Sequence, residues 1–141
     1  MKKSLRILAL GASFAIPALA PAADGEFPSR PIKLVLGYAP GGSADIVARE
    51  FASRLSKELK QNVVVENYGG ASGTIGAQLV ANAAPDGYTL HFVASPTVTL
   101  TPALQKTPFD PLKDFTPIAS IVDYVSVLMV NASSPYRSVD D

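Results

Sequence analysis

Twice in succession this chain runs from a short apolar stretch through a glycine-rich turn into an amphipathic helical stretch, and a third apolar stretch closes the series. Few architectures accept that order. Ile32 to Tyr38 reads as a first strand, apolar enough for the interior of a parallel sheet. It enters Ala39-Pro40-Gly41-Gly42-Ser43-Ala44-Asp45, after which a helix is expected to about Lys60. Val47, Phe51, Leu55 and Leu59 recur every four residues, and the charges of Arg49, Glu50, Arg54, Lys57 and Glu58 fall largely on the other side. Val63 to Asn67 is a second strand, Tyr68 to Thr74 a second glycine-rich turn, and about Thr74 to Ala84 a second helix, stopped by Pro85-Asp86-Gly87. Tyr88 to Ala94 is the third strand, ending at Ser95-Pro96-Thr97.

This is the order of parallel βαβ units, so the fold class is α/β. Crossovers between parallel strands are almost always right-handed, which brings both glycine-rich turns to the carboxyl edge of the sheet. Ligands of open α/β sheets lie in the crevice there. Gly41-Gly42-Ser43, Ser72-Gly73-Thr74 and Ser95-Pro96-Thr97 should therefore share one rim.

Beyond Thr97 the texture changes. Residues 101–117 hold Pro102, Pro108, Pro111 and Pro117, with Leu104, Phe109, Leu112 and Phe115 as packing anchors. A short helix around Pro102 to Gln105 and an ordered surface loop are expected. Ile118 to Val122 and Val125 to Val130 read as two more strands, followed by a connector at Asn131 to Pro135. Ser138-Val139-Asp140-Asp141 resembles the cap and first turn of a further helix.

At the first loop, paired glycines allow the backbone to come close to a ligand. The helix that starts there offers unpaired N–H groups and a positive dipole end, a setting suited to an anion. Ser43 can cap the helix or touch the ligand. Asp45, in the first turn, reads slightly more readily as a dipole-matching residue than as a ligand contact. Tyr38 and Tyr68 stand where each would border the crevice or simply pack.

Other uses of these glycines fail on spacing. A phosphate loop needs a Lys after its last glycine, and neither cluster has one. Gly70, Gly73 and Gly76 recur every three residues, unlike a dinucleotide fingerprint, and Gly41-Gly42-Ser43-Ala44-Asp45 lacks the final glycine of a hydrolase elbow. His91 is the one histidine and lies inside a strand, where a structural role is the usual one. With no second histidine and no cysteine, a metal site and a Ser-His-Asp system have little support, and no catalytic residue, metal ligand or cofactor is assigned. The 12 basic and 12 acidic residues balance, which argues against a nucleic-acid or anionic-membrane partner.

Residues 1–22 have the three parts of a secretory signal peptide: Lys2, Lys3 and Arg6, then an apolar run from Ile7 to Leu19, then small residues. Cleavage after Ala22 is preferred to cleavage after Ala20, because the latter would leave Pro21 just past the cut. The run is too short to span a bilayer, and no later segment suits insertion, so export to the periplasm is expected.

Longer motifs carry a family resemblance. Phe27-Pro28-Ser29-Arg30-Pro31-Ile32 and Pro40-Gly41-Gly42-Ser43-Ala44-Asp45 resemble segments of tripartite tricarboxylate transporter substrate receptors, also called Bug-type receptors. Val63 to Asn67 with Gly70 to Ala77, Ala84 to Leu90, and Pro108 to Phe115 are similar to further motifs of that family. The resemblance implies a periplasmic binding protein-like fold of type II. Its two lobes would close on a small carboxylate and deliver it to membrane transporter subunits. Residues 23–131 would form most of the first lobe and 132–141 the crossover toward a second. Carried over by motif, the ligand-binding positions are Tyr38, Ala39, Pro40, Gly41, Gly42, Ser43, Asp45, Ala71, Ser72, Gly73, Thr74, Ser95, Pro96 and Thr97. Family members are longer, so the sequence reads as a truncated frame supplying one rim of a cleft. Two other readings are an exported α/β enzyme acting through Ser43 or Asp45, and a gene fragment without function.

Overall fold

The computed structural model describes residues 26–140, with 124 and 126 excepted; the expected signal peptide at 1–22 lies outside the described residues. Three strands, β1 (Ile32–Leu36), β2 (Val63–Asn67) and β3 (Thr89–Phe92), form a parallel sheet in the order β2-β1-β3. The register sets Ile32 opposite Val63 on one side of β1 and Lys33 opposite Thr89 on the other, so the three carboxyl ends finish together.

β1 is central, and its sequence explains why. Ile32, Leu34, Val35 and Leu36 are all at most 2% exposed. Each such side chain contributes roughly 1.5–3 kcal/mol by leaving water. β2, at the edge, leaves Val64 exposed. Between β1 and β2 runs α1 (Ser43–Leu59). Its Ala48 and Ala52 lie buried against Leu34 and Leu36, with Phe51, Val63, Val65, Leu90 and Phe92 packed around them. The small alanines let the helix lie close to the sheet, and the Phe51 and Phe92 rings meet at 6.0 Å. α1 ends at Lys60 in a left-handed conformation, its N–H donating to the Ser56 carbonyl.

α2 (Thr74–Ala81) crosses from β2 over β1 to β3 and buries Gly76 and Ala77. Beyond β3 come two short helices, α3 (Ser95–Val98) and α4 (Leu100–Leu104). Phe109 then folds back to be buried, meeting Phe115 edge to face at 5.5 Å, while Phe115 lies over His91 at 5.9 Å. No helix among the described residues is long and apolar enough to cross a membrane.

The structure corrects the expectations past Phe115. Ile118 to Val122, and the described residues of Val125 to Val130, form no strand; Ile118, Val125, Leu128 and Met129 are each more than four-fifths exposed. A strand exists only through its ladder partners, and this segment has none among the described residues. Ser95 to Thr97, expected as a loop after the third strand, is instead helical, with Pro96 in the first turn where its missing N–H costs nothing. The second helix stops at Ala81 rather than Ala84, and the third strand spans Thr89–Phe92 only.

Candidate functional site

The strand order places a reversal between β1 and β3. β1 leads through its loop to a crossover toward β2, whereas β3 is reached from the opposite side. Outside such a reversal the loops part and leave a crevice. The loops after β1, β2 and β3 meet there, as expected from the right-handed crossovers.

The first loop is held from beneath and open above. Gly41 takes φ +84°, and a side chain there would meet nothing within 4 Å. Gly42 is the N-cap of α1 and no side chain caps the helix, so its leading N–H groups are free of side-chain partners. Ala39, Pro40, Gly41, Gly42 and Ser43 are exposed. Asp45, by contrast, is only 4% exposed. Its Oδ2 accepts from the Gly41 N–H at 3.0 Å and from Arg49 Nε at 2.9 Å, and its Oδ1 accepts from Asn67 Nδ2 at 2.9 Å. The Arg49 guanidinium, then the Gly41 N–H and the Asn67 amide, hold its carboxyl well below the usual carboxylate range. Asn67 also donates to the Tyr38 carbonyl at 3.0 Å and accepts from Arg49 Nη2 at 3.0 Å. Every polar atom of Asp45 is thus engaged, and the residue acts as a brace fixing the loop to the ends of β1 and β2. Sequence reasoning gave Asn67 no role. Its position as the last residue of β2 is the one signal that would have found it.

The second loop is closed. A 3-10 turn over Ala71–Gly73 carries Ala71 at φ 45° and Ser72 at φ 56°, left-handed conformations that cost a non-glycine residue roughly 1 kcal/mol or more each. Gly73 and Thr74 are buried, and Thr74 Oγ1 donates back to the Ala71 carbonyl at 2.8 Å. Ala71 and Ser72 are exposed. Tyr68 is turned away from this rim: its hydroxyl donates to Glu66 Oε2 at 2.7 Å, and Lys33 Nζ reaches the same oxygen at 3.0 Å. The Tyr68 hydrogen bond, followed by Lys33, lowers the Glu66 pKa, while the same bond raises that of Tyr68.

Thr97 ties the third loop to the other two. It is 1% exposed, and its Oγ1 donates to the Ser72 carbonyl at 3.1 Å and lies 3.0 Å from the Tyr38 hydroxyl. Ser95 and Pro96 stay exposed. Beside this junction a groove of about 450 Å³ is lined by Tyr38, Ser72, Pro96, Thr97, Leu100, Thr101, Leu104 and Gln105. None of those side chains is charged. Leu100, Thr101, Leu104 and Gln105 were not among the expected positions; α4, which carries the first three, was placed by sequence only approximately.

His91 lies within β3, away from this rim. Its Nε2 is buried without a partner among the described residues, and burial pushes its pKa down to about 4. It remains a neutral packing residue against Phe115.

Residues 47–141, well over half of the chain, match the family model described as tripartite tricarboxylate transporter family receptor. A curated relative from Cupriavidus necator, the UPF0065 protein in the gbd 5' region, is 46% identical over 127 residues, which are 90% of this chain and 38% of that protein. Among solved structures, a Rhodopseudomonas palustris protein with adipate superposes with a TM-score of 0.61 at 38% identity, over 65% of this chain and 31% of that one. MatC from the same organism, with bound malate, gives a TM-score of 0.55 at 38% identity, over 64% of this chain and 31% of that one. The chain therefore spans a little over a third of the length of the curated relative and less of the solved ones.

Proposed function

This chain belongs to the tripartite tricarboxylate transporter receptor family, a family of solute-binding receptors, and we propose that its three-loop rim forms one wall of a carboxylate site. The observation that carries the reading is the first loop: an open Gly41-Gly42 backbone and an uncapped helix end, rigidly braced by Asp45. N–H groups arranged in this way accept an anion without a buried cation, because the helix end supplies partial positive charge. Ser72, Thr101 and Gln105 add neutral donors lining the groove, and Ser43 adds one on the first loop. Two relatives of like fold were solved with adipate and with malate, which supports a small carboxylate as the class of ligand.

On this reading residues 1–22 direct export and are removed, residues 23–131 build most of a first lobe, and residues 132–141 begin a crossover. Ala39, Pro40, Gly41, Gly42 and Ser43 contact the ligand, with Ala71, Ser72, Gly73, Thr74, Ser95 and Pro96 completing the rim. Asp45 contributes by holding the loop. The receptor works in the periplasm and hands its ligand to membrane transporter subunits.

Isothermal titration of the protein in its full natural length against a panel of mono-, di- and tricarboxylates tests this. At least one acid should bind saturably, and Gly42→Pro, which stiffens the cradle and removes one N–H, should weaken it at least tenfold. Saturable binding that ignores Gly42→Pro would place the ligand elsewhere. Heat exchange with none of the acids would refute the receptor reading.

A further inference from the structure

The hydrogen-bond chain at the groove has a direction, and that direction limits what Tyr38 can recognise. A carbonyl oxygen only accepts, so in the 3.1 Å contact between Thr97 Oγ1 and the Ser72 carbonyl the threonine must donate. A hydroxyl has one proton. Thr97 has then spent its own, and in the 3.0 Å contact with the Tyr38 hydroxyl it must accept. The phenolic proton of Tyr38 is therefore directed at Thr97, away from any ligand. Thr97 is 1% exposed, so no solvent competes for this arrangement. What Tyr38 retains toward the groove it lines is a pair of acceptor lobes.

Resting on the receptor reading above, we propose that Tyr38 is a specificity-determining acceptor, selecting carboxylates that bear a hydroxyl or ammonium donor over the same acids without one. A bare carboxylate finds its donors elsewhere in the groove, at Ser72, Thr101 and Gln105. Set against Tyr38 it would face oxygen lone pairs with no proton between. A hydroxyl on the ligand turns that contact into a hydrogen bond and extends the chain to four members: ligand O–H, Tyr38, Thr97, Ser72 carbonyl.

The test is calorimetric titration of the protein in its full natural length with matched pairs: malate and succinate, lactate and propionate, 2-hydroxyglutarate and glutarate. The hydroxy acid should bind about fivefold or more tightly within at least one pair, the worth of one neutral hydrogen bond. Tyr38→Phe should bring that ratio below about twofold, chiefly by weakening the hydroxy acid. Thr97→Val should free the phenolic proton and shift preference toward the unsubstituted acid, and Thr97→Ser should preserve the wild-type ratio. If Thr97→Val does not fold, the Tyr38→Phe and Thr97→Ser ratios decide alone. Equal binding within every pair that binds, or a ratio unmoved by Tyr38→Phe, overturns this inference and leaves the receptor reading standing. Binding of no acid at all removes both.

Discussion

At Gly41 an added methyl group would meet open space, whereas at Gly37, Gly73 and Gly76 it would meet a neighbour at 2.8–2.9 Å. The two glycine-rich loops lie side by side at one sheet edge and use the same residue for opposite ends. In the first, glycine keeps the space above the backbone empty and the helix start uncovered, while Asp45, Arg49 and Asn67 supply rigidity from below. In the second, glycine removes side chains so that the end of β1, the start of α2 and Thr97 can touch. One loop presents backbone outward; the other is joinery. The contrast teaches that glycine content marks a rim of this kind but does not say which loop meets the ligand.

The strongest way to break the second loop is Gly37→Ala. Its new Cβ would lie 2.8 Å from both the Cα and the carbonyl oxygen of Gly73, backbone atoms with no rotamer to yield. A loss of about 3 kcal/mol or more is expected by urea denaturation, the scale of a severe overpacking clash. Near-wild-type stability would show that the loops are less tightly joined than described.

Acid should loosen the α2 side of the sheet, where His91 packs under Phe115. Its folded pKa, about 4, lies below the ordinary 6.5, so the unfolded chain binds the extra proton between those values. Its contribution is then fully present above pH 6.5 and is lost as pH falls through 6.5 toward 4, by up to about 3 kcal/mol. Thermal midpoints measured across that window should fall with acid in the wild type and less so in His91→Leu. Parallel curves for the two would exclude His91 as the source.

The smallest stability effect belongs to the first loop. Gly41→Ala meets no neighbour, so only its φ of +84° is unfavourable, at about 1 kcal/mol. On the receptor reading its ligand affinity should drop by far more than that stability change implies, because the methyl would enter the open space proposed for the ligand. An affinity loss no greater than the stability loss would make the two loops alike after all.

Much of this was legible in the sequence. The apolar runs, the helix period of α1 and the glycine pairs are local signals, and they located β1, β2 and the rim. Contacts that span distance were not legible. Tyr38 and Thr97 are 59 residues apart and Asp45 and Asn67 are 22 apart, and neither pairing leaves a periodicity. Asp45 appeared as one acid in a first helical turn, and only its three partners show it to be a brace. Residues 118–130 misled in the other direction. Their β-branched content satisfies a strand's local preference, but pairing is decided by partners, which composition does not reveal.

The Arg49 brace has a consequence for how quickly a ligand is caught and let go. This guanidinium, one helical turn beyond the first loop, is committed to Asp45 and Asn67. With Asp45 compensating it at 2.9 Å, Arg49 should add little to the steering of an anion, and its removal should change the salt dependence of encounter little. The same compensation leaves Arg49 little hold on a bound anion. A site furnished this way would trade grip for quick release, which fits the receptor role proposed above.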